Sequence, residues 1–167
     1  MSHSGRLSVE RGDNGRLVLD FPGWSAESLK VTSSVTQMLG AEPEELHQAN
    51  YYMAVFRSEQ AVRALKPDME QLAKLGEAGL IVTAPGEEFD FVSRYFAPGV
   101  GIQEDPVTGS AHCALAPFWA KRLGKPILHA HQASIRGGEL WCEVVGTRVR
   151  IAGNVVEYLS GSIRVPC

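Results

Sequence analysis

The chain has 167 residues, is 44% hydrophobic and carries a formal net charge of -3 at pH 7. A chain of this size and apolar content can bury the core of one domain without disulfides or structural metals, so we expect residues 1–167 to form a single domain. The mild acidity, with Lys and Arg scattered along the chain, excludes the basic footprint that is typical of nucleic-acid-binding proteins.

Alternating apolar residues predict most of the strands. Leu7 and Val9, followed by Leu17, Leu19 and Phe21, predict a hairpin around a turn that is rich in glycine. Later β-rich runs predict a sheet-dominated domain, and they lie at residues 51–56, 80–83, 89–96, 140–145, 148–151, 155–159 and 162–165. Glycine-containing turns between the last four runs predict that those strands are antiparallel.

Capping residues and glycine stops predict three short helices. They lie at residues 34–39, 59–65 and 69–75, with Ser58 and Asp68 as caps at the start of the second and third. Together with the strands, these helices indicate an α+β fold.

A fourth helix is predicted over residues 109–123, followed by Gly124 as a stop signal. It has almost no polar face, which is typical of a helix that is buried on all sides. Pro117 lies inside it and removes the hydrogen bond to the Cys113 carbonyl, so we expect a kink.

The loop that leads into this helix has the composition of an anion-binding site. Asp105, Thr108, Gly109 and Ser110 provide a carboxylate, two hydroxyls and close backbone approach, beside the unpaired amides of the first helical turn. Thr108 or Ser110 is expected to cap the helix. In a simpler alternative, Asp105 and Thr108 only cap a buried helix and bind no ligand.

We expect no metal ion and no cofactor. His129 and His131 share one face of a strand, and His112 is a candidate third ligand, but no carboxylate stands at a tight ligand spacing beside the strand pair. Of the three, His112 directly follows the loop and is expected to face a ligand. Cys113 lies inside the predicted helix and is expected to be a core residue.

The chain is expected to be a soluble cytoplasmic protein that does not enter a membrane. Its cysteines are odd in number and lack a Cys-x-x-Cys spacing, which suits a reducing compartment. The longest stretch without a charged residue, 106–120, is too short to span a bilayer, and no apolar signal core follows Met1.

Three motifs in a fixed order carry a specific resemblance. They are DFVSRYFAP at residues 90–98, EDPVTGSAH at 104–112 and QASIRGG at 132–138, with weaker landmarks at 5–7, 20–22 and 65–68. Together they resemble the PhzF-like isomerases of phenazine biosynthesis, and the similarity covers nearly the whole chain.

The resemblance implies a fold related to diaminopimelate epimerase. In that fold two similar halves meet at an active-site cleft, and each half is a curved, mostly antiparallel sheet or barrel wrapped round a central buried helix. The chain is similar to the second, C-terminal half. No segment matches the motif of the glutamate that serves as the general acid and base of the family in the first half, so we expect this chain to supply half of a cleft.

The resemblance also implies a proton shift in a small carboxylated substrate. Asp105 is then the candidate catalytic residue, while Cys113 is a poor candidate for the base because it lies inside the helix. The candidate substrate-binding residues are Thr108, Gly109, Ser110, Ala111, His112, Arg136 and Gly137. For Arg136 and for Arg94, pairing with a substrate anion and pairing with a nearby carboxylate both stay open.

Two classes of function stay open. In the first, the chain completes an isomerase by pairing with a complementary first-half polypeptide, or with a second copy of itself as a homodimer, which the pseudo-two-fold symmetry of the family would favour. In the second, the chain is a non-catalytic domain, truncated from an isomerase, that binds a small acid or a protein partner. A fragment of a longer protein is a further possibility.

Overall fold

The computed structural model describes residues 7–12 and 14–164. Its strands are β1 (Ser8–Arg11), β2 (Leu17–Pro22), β3 (Glu27–Leu29), β4 (Glu45–Gln48), β5 (Tyr52–Val55), β6 (Leu80–Pro85), β7 (Phe91–Phe96), β8 (Ile127–Gln132), β9 (Gly138–Val145) and β10 (Arg148–Gly153). Its helices are α1 (Ser33–Leu39), α2 (Glu59–Ala64), α3 (Met69–Ala73) and α4 (Gly109–Leu123), with short 3₁₀ turns at Gly76–Ala78 and Pro98–Val100.

The ten described strands form one mixed sheet in the order β1-β2-β10-β9-β8-β7-β6-β5-β4-β3. All neighbouring pairs are antiparallel except β5 with β6 and β7 with β8, which are parallel. The predicted α+β fold with a mostly antiparallel sheet is therefore confirmed. The barrel alternative is wrong for the described strands, because β1 and β3 are edge strands and the sheet is not closed.

Helix α4 packs against β8, β9 and β10 and runs over the predicted residues. Trp119 is fully buried, and its ring stacks on Phe91 with centroids 5.7 Å apart. Pro117 leaves the Cys113 carbonyl without its helical donor, and the Trp24 N–H donates to that carbonyl at 2.8 Å. The proline therefore leaves no unsatisfied carbonyl at Cys113, because the loop after β2 supplies the missing donor.

Helices α1 to α3 cover a second core cluster, which includes Leu39, Val62 and Leu72. This cluster lies on the sheet face opposite α4, because alternate residues of β6 contribute to the two clusters. The predicted caps are confirmed, since Ser58 Oγ accepts from the Ala61 amide and the Asp68 carboxylate accepts from two amides of α3.

The chain after β10 differs from the sequence prediction. Residues 154–164 contain no strand, so the strands predicted at 155–159 and in the described part of 162–165 are wrong, while Val165 lies outside the described residues. β10 instead pairs with β2, for example Ile151 with Leu19. Val156 and Tyr158 are 94% and 99% exposed, because strand propensity alone forms no strand where no neighbouring strand is available for pairing.

Three strands, β3, β4 and β8, are absent from the predicted β-rich runs, although the His129 and His131 pair was expected to lie on a strand. β3 has only three residues, all exposed, and β4 has four, so neither gives a clear alternating pattern. None of the described helices is long and apolar enough to cross a membrane.

Candidate functional site

The loop before α4 is held against the sheet by the side chain of Gln132, the last residue of β8. Gln132 is fully buried, and its Oε1 accepts a hydrogen bond from the Thr108 N–H at 2.7 Å. Its Nε2 donates to the Asp105 carbonyl at 2.7 Å and to Thr108 Oγ1 at 3.0 Å. One glutamine thus fixes both ends of the segment 105–108 and determines where the helix begins.

The first turn of α4 has no side-chain cap. The Thr108 hydroxyl donates to Asp105 Oδ2, and Ser110 Oγ shares a hydrogen bond with the Tyr51 hydroxyl at 3.0 Å. Within the described part of the chain, the amides of residues 109–111 have no acceptor. Thr108 is the N-cap residue, but no side chain accepts from a first-turn amide, so the prediction that the hydroxyl of Thr108 or Ser110 caps the helix is wrong. The capping role of Asp105 and Thr108 in the alternative is wrong for the same reason, while ligand binding by this loop stays a prediction.

A groove of about 810 Å³ opens beside this helix start. Val107 and Gly109 line it on one side, and Arg136 and Gly137 line it from the connection between β8 and β9. Arg136 is exposed and pairs with no carboxylate of the described residues. The unpaired Gly109 amide, the positive end of the α4 dipole and the Arg136 guanidinium therefore border one groove, which Glu139 also lines. The donors at the helix start favour a small anion at that end of the groove.

Two short contacts tie the β8–β9 connection to the same loop. The Ser134 hydroxyl donates to the Pro106 carbonyl at 2.8 Å, and the Gly137 amide donates to Ser134 Oγ at 3.1 Å. Gly137 has a φ of 68°, a left-handed conformation that favours glycine. The structure thus places Arg136 and Gly137 beside the loop that contains Asp105, and substrate binding by these two residues stays a prediction.

Arg94, by contrast, has a structural role. Its guanidinium forms a two-pronged ion pair with Glu104 at 2.7 and 3.1 Å. It also donates to the carbonyls of Val62 and Leu65 at the end of α2, at 3.1 and 3.0 Å. All these contacts lie within the protein, so the pairing of Arg94 with a nearby carboxylate is the alternative that the structure favours.

Ala111 and His112 belong to the first turn of α4, and their side chains lie inside the protein. Both are buried, and the His112 Nδ1–H donates to the Thr108 carbonyl at 2.8 Å. Its Nε2 is buried without a partner among the described residues, and burial lowers the pKa of the imidazole to about 4, so the ring is neutral at pH 7. Ligand contact by Ala111 and His112 stays a prediction, and their burial keeps both side chains away from the surface of the groove.

Of the other candidate side chains, Cys113 and His129 lie outside this arrangement, whereas His131 lines the groove. Cys113 is buried in the core as predicted, and burial raises the pKa of its thiol to about 11, so the thiol is protonated at pH 7. His129 and His131 face away from α4. His129 Nε2 lies 2.8 Å from Glu139, and His131 Nδ1 lies 3.3 Å from the Arg63 guanidinium. No cluster of three possible metal ligands occurs among the described residues.

Sequence reasoning missed two residues that shape the site. Gln132 opens the QASIRGG motif, but nothing in the local sequence indicates that its amide is buried against a loop 24 residues earlier. Tyr51 is 59 residues from its partner Ser110 and begins a run that reads only as a strand. In both cases the sequence offered only a weak signal, which is a residue with a hydrogen-bonding group at the end of a strand or next to one.

The close approach of β9 to the site loop leads to a testable prediction. A Cβ atom added at Gly138 would collide with Val107 Cγ2, and the branched valine cannot turn away without moving the loop. We expect Gly138→Ala to lower the free energy of unfolding by about 2 kcal/mol, measured by urea denaturation. Gly153→Ala is the matched control, since no atom lies within 4 Å of the added Cβ; equal losses in both variants would contradict this account.

The sequence matches a known protein family over most of its length. The profile of the family described as phenazine biosynthesis-like protein matches residues 9–161. The chain belongs to the phenazine biosynthesis-like family. An uncharacterized isomerase of Pseudomonas aeruginosa is a member that is 51% identical over 166 residues, which are 99% of this chain and 63% of that relative. The resemblance to PhzF-like proteins is thereby confirmed.

Other phenazine biosynthesis-like proteins share the sequence and the fold. A human phenazine biosynthesis-like domain-containing protein is 35% identical over 186 residues, covering 96% of this chain and 62% of the human protein. The crystal structure of a PhzF-family protein from Enterococcus faecalis superposes with a TM-score of 0.86 at 41% identity, over 91% of this chain and 58% of that one. The chain therefore spans less than two thirds of the length of these relatives.

Proposed function

We propose that this chain supplies the carboxylate-binding half of the cleft of a PhzF-like isomerase, which moves a proton within a small carboxylated substrate. The observation that carries the proposal is the set of unpaired amides at residues 109–111, which lie beside a groove that also holds the free guanidinium of Arg136. Donors without competing acceptors bind a carboxylate and hold the neighbouring C–H bond in place for proton transfer.

Asp105 is the proposed catalytic residue of this half. The Thr108 hydroxyl donates to its Oδ2, while Oδ1 has no donor among the described residues. The hydrogen bond at Oδ2 therefore orients the carboxylate. Oδ1 remains available to accept a proton or a hydrogen bond from a substrate N–H. Gln132 supports this geometry, because its side chain donates to the Asp105 carbonyl and accepts from the Thr108 amide.

A second polypeptide is proposed to complete the cleft. The chain spans 63% of the Pseudomonas aeruginosa relative, and the family resemblance implies that a glutamate of the first half acts as general acid and base. The partner is either a first-half polypeptide or a second copy of this chain, and α4 would be the central helix of an epimerase-like half in both assemblies. The small carboxylated substrate would bind between the two halves.

Deuterium incorporation from heavy water tests this proposal. Amino acids and 2,3-dihydro-3-hydroxyanthranilate are incubated with the chain alone, and with the chain plus the part of the Pseudomonas aeruginosa relative that it does not span. Proton NMR then reports loss of the C–H signal. We expect exchange in at least the mixture, and we expect Asp105→Asn, which keeps the shape but removes the charge, to slow it at least tenfold.

The outcomes separate the candidate assemblies. Exchange by the chain alone, at a rate per chain that rises with concentration as a dimer forms, identifies a second copy as the partner. Exchange only in the mixture identifies the first-half polypeptide. Exchange in neither sample would contradict the isomerase proposal and favour a domain that binds a small acid without turnover.

A further inference from the structure

Tyr51 makes a contact with the candidate site that the proposed function does not use. It lies one residue before β5, and its hydroxyl is 3.0 Å from Ser110 Oγ in the first turn of α4. Ser110 would otherwise be free to rotate its hydroxyl among three staggered positions. The contact joins two parts of the chain that are distant in sequence, so it has to be explained by the folded structure.

The Tyr51 ring packs against two other aromatic rings. Trp24 meets it edge-on with centroids 5.7 Å apart, and Tyr95 meets it at a tilt with centroids 5.0 Å apart. Both neighbours are fixed to the site by their backbones, because the Trp24 amide binds the Cys113 carbonyl and the Tyr95 carbonyl accepts from the Asp105 amide at 3.0 Å. The Tyr51 hydroxyl is therefore held at one position relative to the helix start.

Tyr95, one of the two aromatic neighbours of Tyr51, keeps its phenol uncharged. Burial raises the pKa of Tyr95 well above its ordinary value, and the Tyr51 hydroxyl raises it further, so Tyr95 is a neutral donor at any physiological pH. Tyr95 contacts Tyr51 through its ring, and the hydrogen bond of the Tyr51 hydroxyl is the one to Ser110 Oγ.

We propose that Tyr51 is a positioning residue that donates to Ser110 Oγ and so directs the Ser110 hydroxyl hydrogen toward the carboxylate bound at the amides of residues 109–111. This inference rests on the proposed function and specifies the donor set of that site. A serine oxygen that already accepts from Tyr51 keeps its own hydrogen for donation. At the helix start the bound group thus meets the amide and hydroxyl donors of the first turn, which selects a carboxylate over a neutral amide of the same shape.

Calorimetric titration with benzoate tests the role of Tyr51. Tyr51→Phe removes the hydroxyl and keeps the packed ring, and we expect it to weaken benzoate binding about fivefold without changing the melting temperature by more than about 2 °C. Tyr52→Phe is the matched control, since the neighbouring tyrosine packs in the cluster on the opposite sheet face, and we expect wild-type affinity. In the Ser110→Ala background, Tyr51→Phe should have no further effect, because the residue through which it acts is gone.

The outcomes distinguish this inference from the proposed function. Benzoate binding by the wild-type protein with equal affinity in Tyr51→Phe would overturn the positioning role and leave the anion site standing. A fivefold loss that persists in the Ser110→Ala background would also overturn it, because Tyr51 would then act without Ser110. No binding by the wild-type protein would overturn the anion site and, with it, the role of Tyr51.

Discussion

Replacement of Gln132 by leucine is expected to lower the free energy of unfolding by about 4 kcal/mol. The leucine fits the buried position but makes none of the three hydrogen bonds that Gln132 makes with Asp105 and Thr108. The Thr108 amide and the Asp105 carbonyl then stay inside the protein without partners, and each such group costs about 1–3 kcal/mol. Urea denaturation followed by circular dichroism measures the change.

The same substitution at Gln48 is the control. Gln48 is an exposed residue of β4, so Gln48→Leu should change the free energy of unfolding by less than about 0.5 kcal/mol. We also expect Gln132→Leu to abolish benzoate binding under conditions where the variant is still folded, because the 105–108 segment loses its anchor. A folded variant with wild-type affinity would contradict the role assigned to Gln132.

Acidification is expected to destabilise the protein through His112. Burial lowers the pKa of His112 from 6.5 to about 4 in the folded protein, whereas the unfolded chain has the ordinary value. Between these two values the unfolded state binds more protons, so stability falls as the pH falls from 6.5 toward 4. The shift corresponds to about 3 kcal/mol of unfolding free energy. The protein has this free energy above pH 6.5 and has lost it near pH 4, because His112 is protonated more readily in the unfolded chain.

Urea denaturation at several pH values isolates this contribution. His112→Gln keeps a donor for the Thr108 carbonyl but does not titrate, so the difference in stability between wild type and variant should shrink by about 3 kcal/mol as the pH is lowered from 7.5 to 4. A constant difference between wild type and His112→Gln across this range would show that the imidazole is not held neutral by burial.

The sequence predicted the features that depend on local chemistry. Helix α4 has the predicted bounds because its apolar run ends at Gly124, which has the left-handed conformation of a helix stop. The caps at Ser58 and Asp68 were likewise predictable, since each acts within three residues of itself. Family membership was predictable from three motifs in order, and the profile match over residues 9–161 confirms it.

The features that sequence reasoning missed depend on contacts between distant residues. Thr108 is a residue type that often caps helices, but its amide donates to Gln132 and its hydroxyl donates to Asp105. Val156 and Tyr158 have the propensity of a strand, but β2 already pairs with β10. The uncapped helix start is therefore a result of tertiary structure, in which competing partners hold both hydroxyls of the first turn away from the amides.

The account rests on amides at the start of α4 that are free to bind a carboxylate. Titration of ¹⁵N-labelled protein with benzoate, followed by amide chemical shifts, tests this most directly. We predict that the largest shifts occur at Gly109, Ser110 and Ala111, with smaller ones at Arg136 and Gly137, and that the Thr108 amide, bound to Gln132, shifts less than its three neighbours. Shifts that leave residues 109–111 unchanged at saturating benzoate would contradict the account.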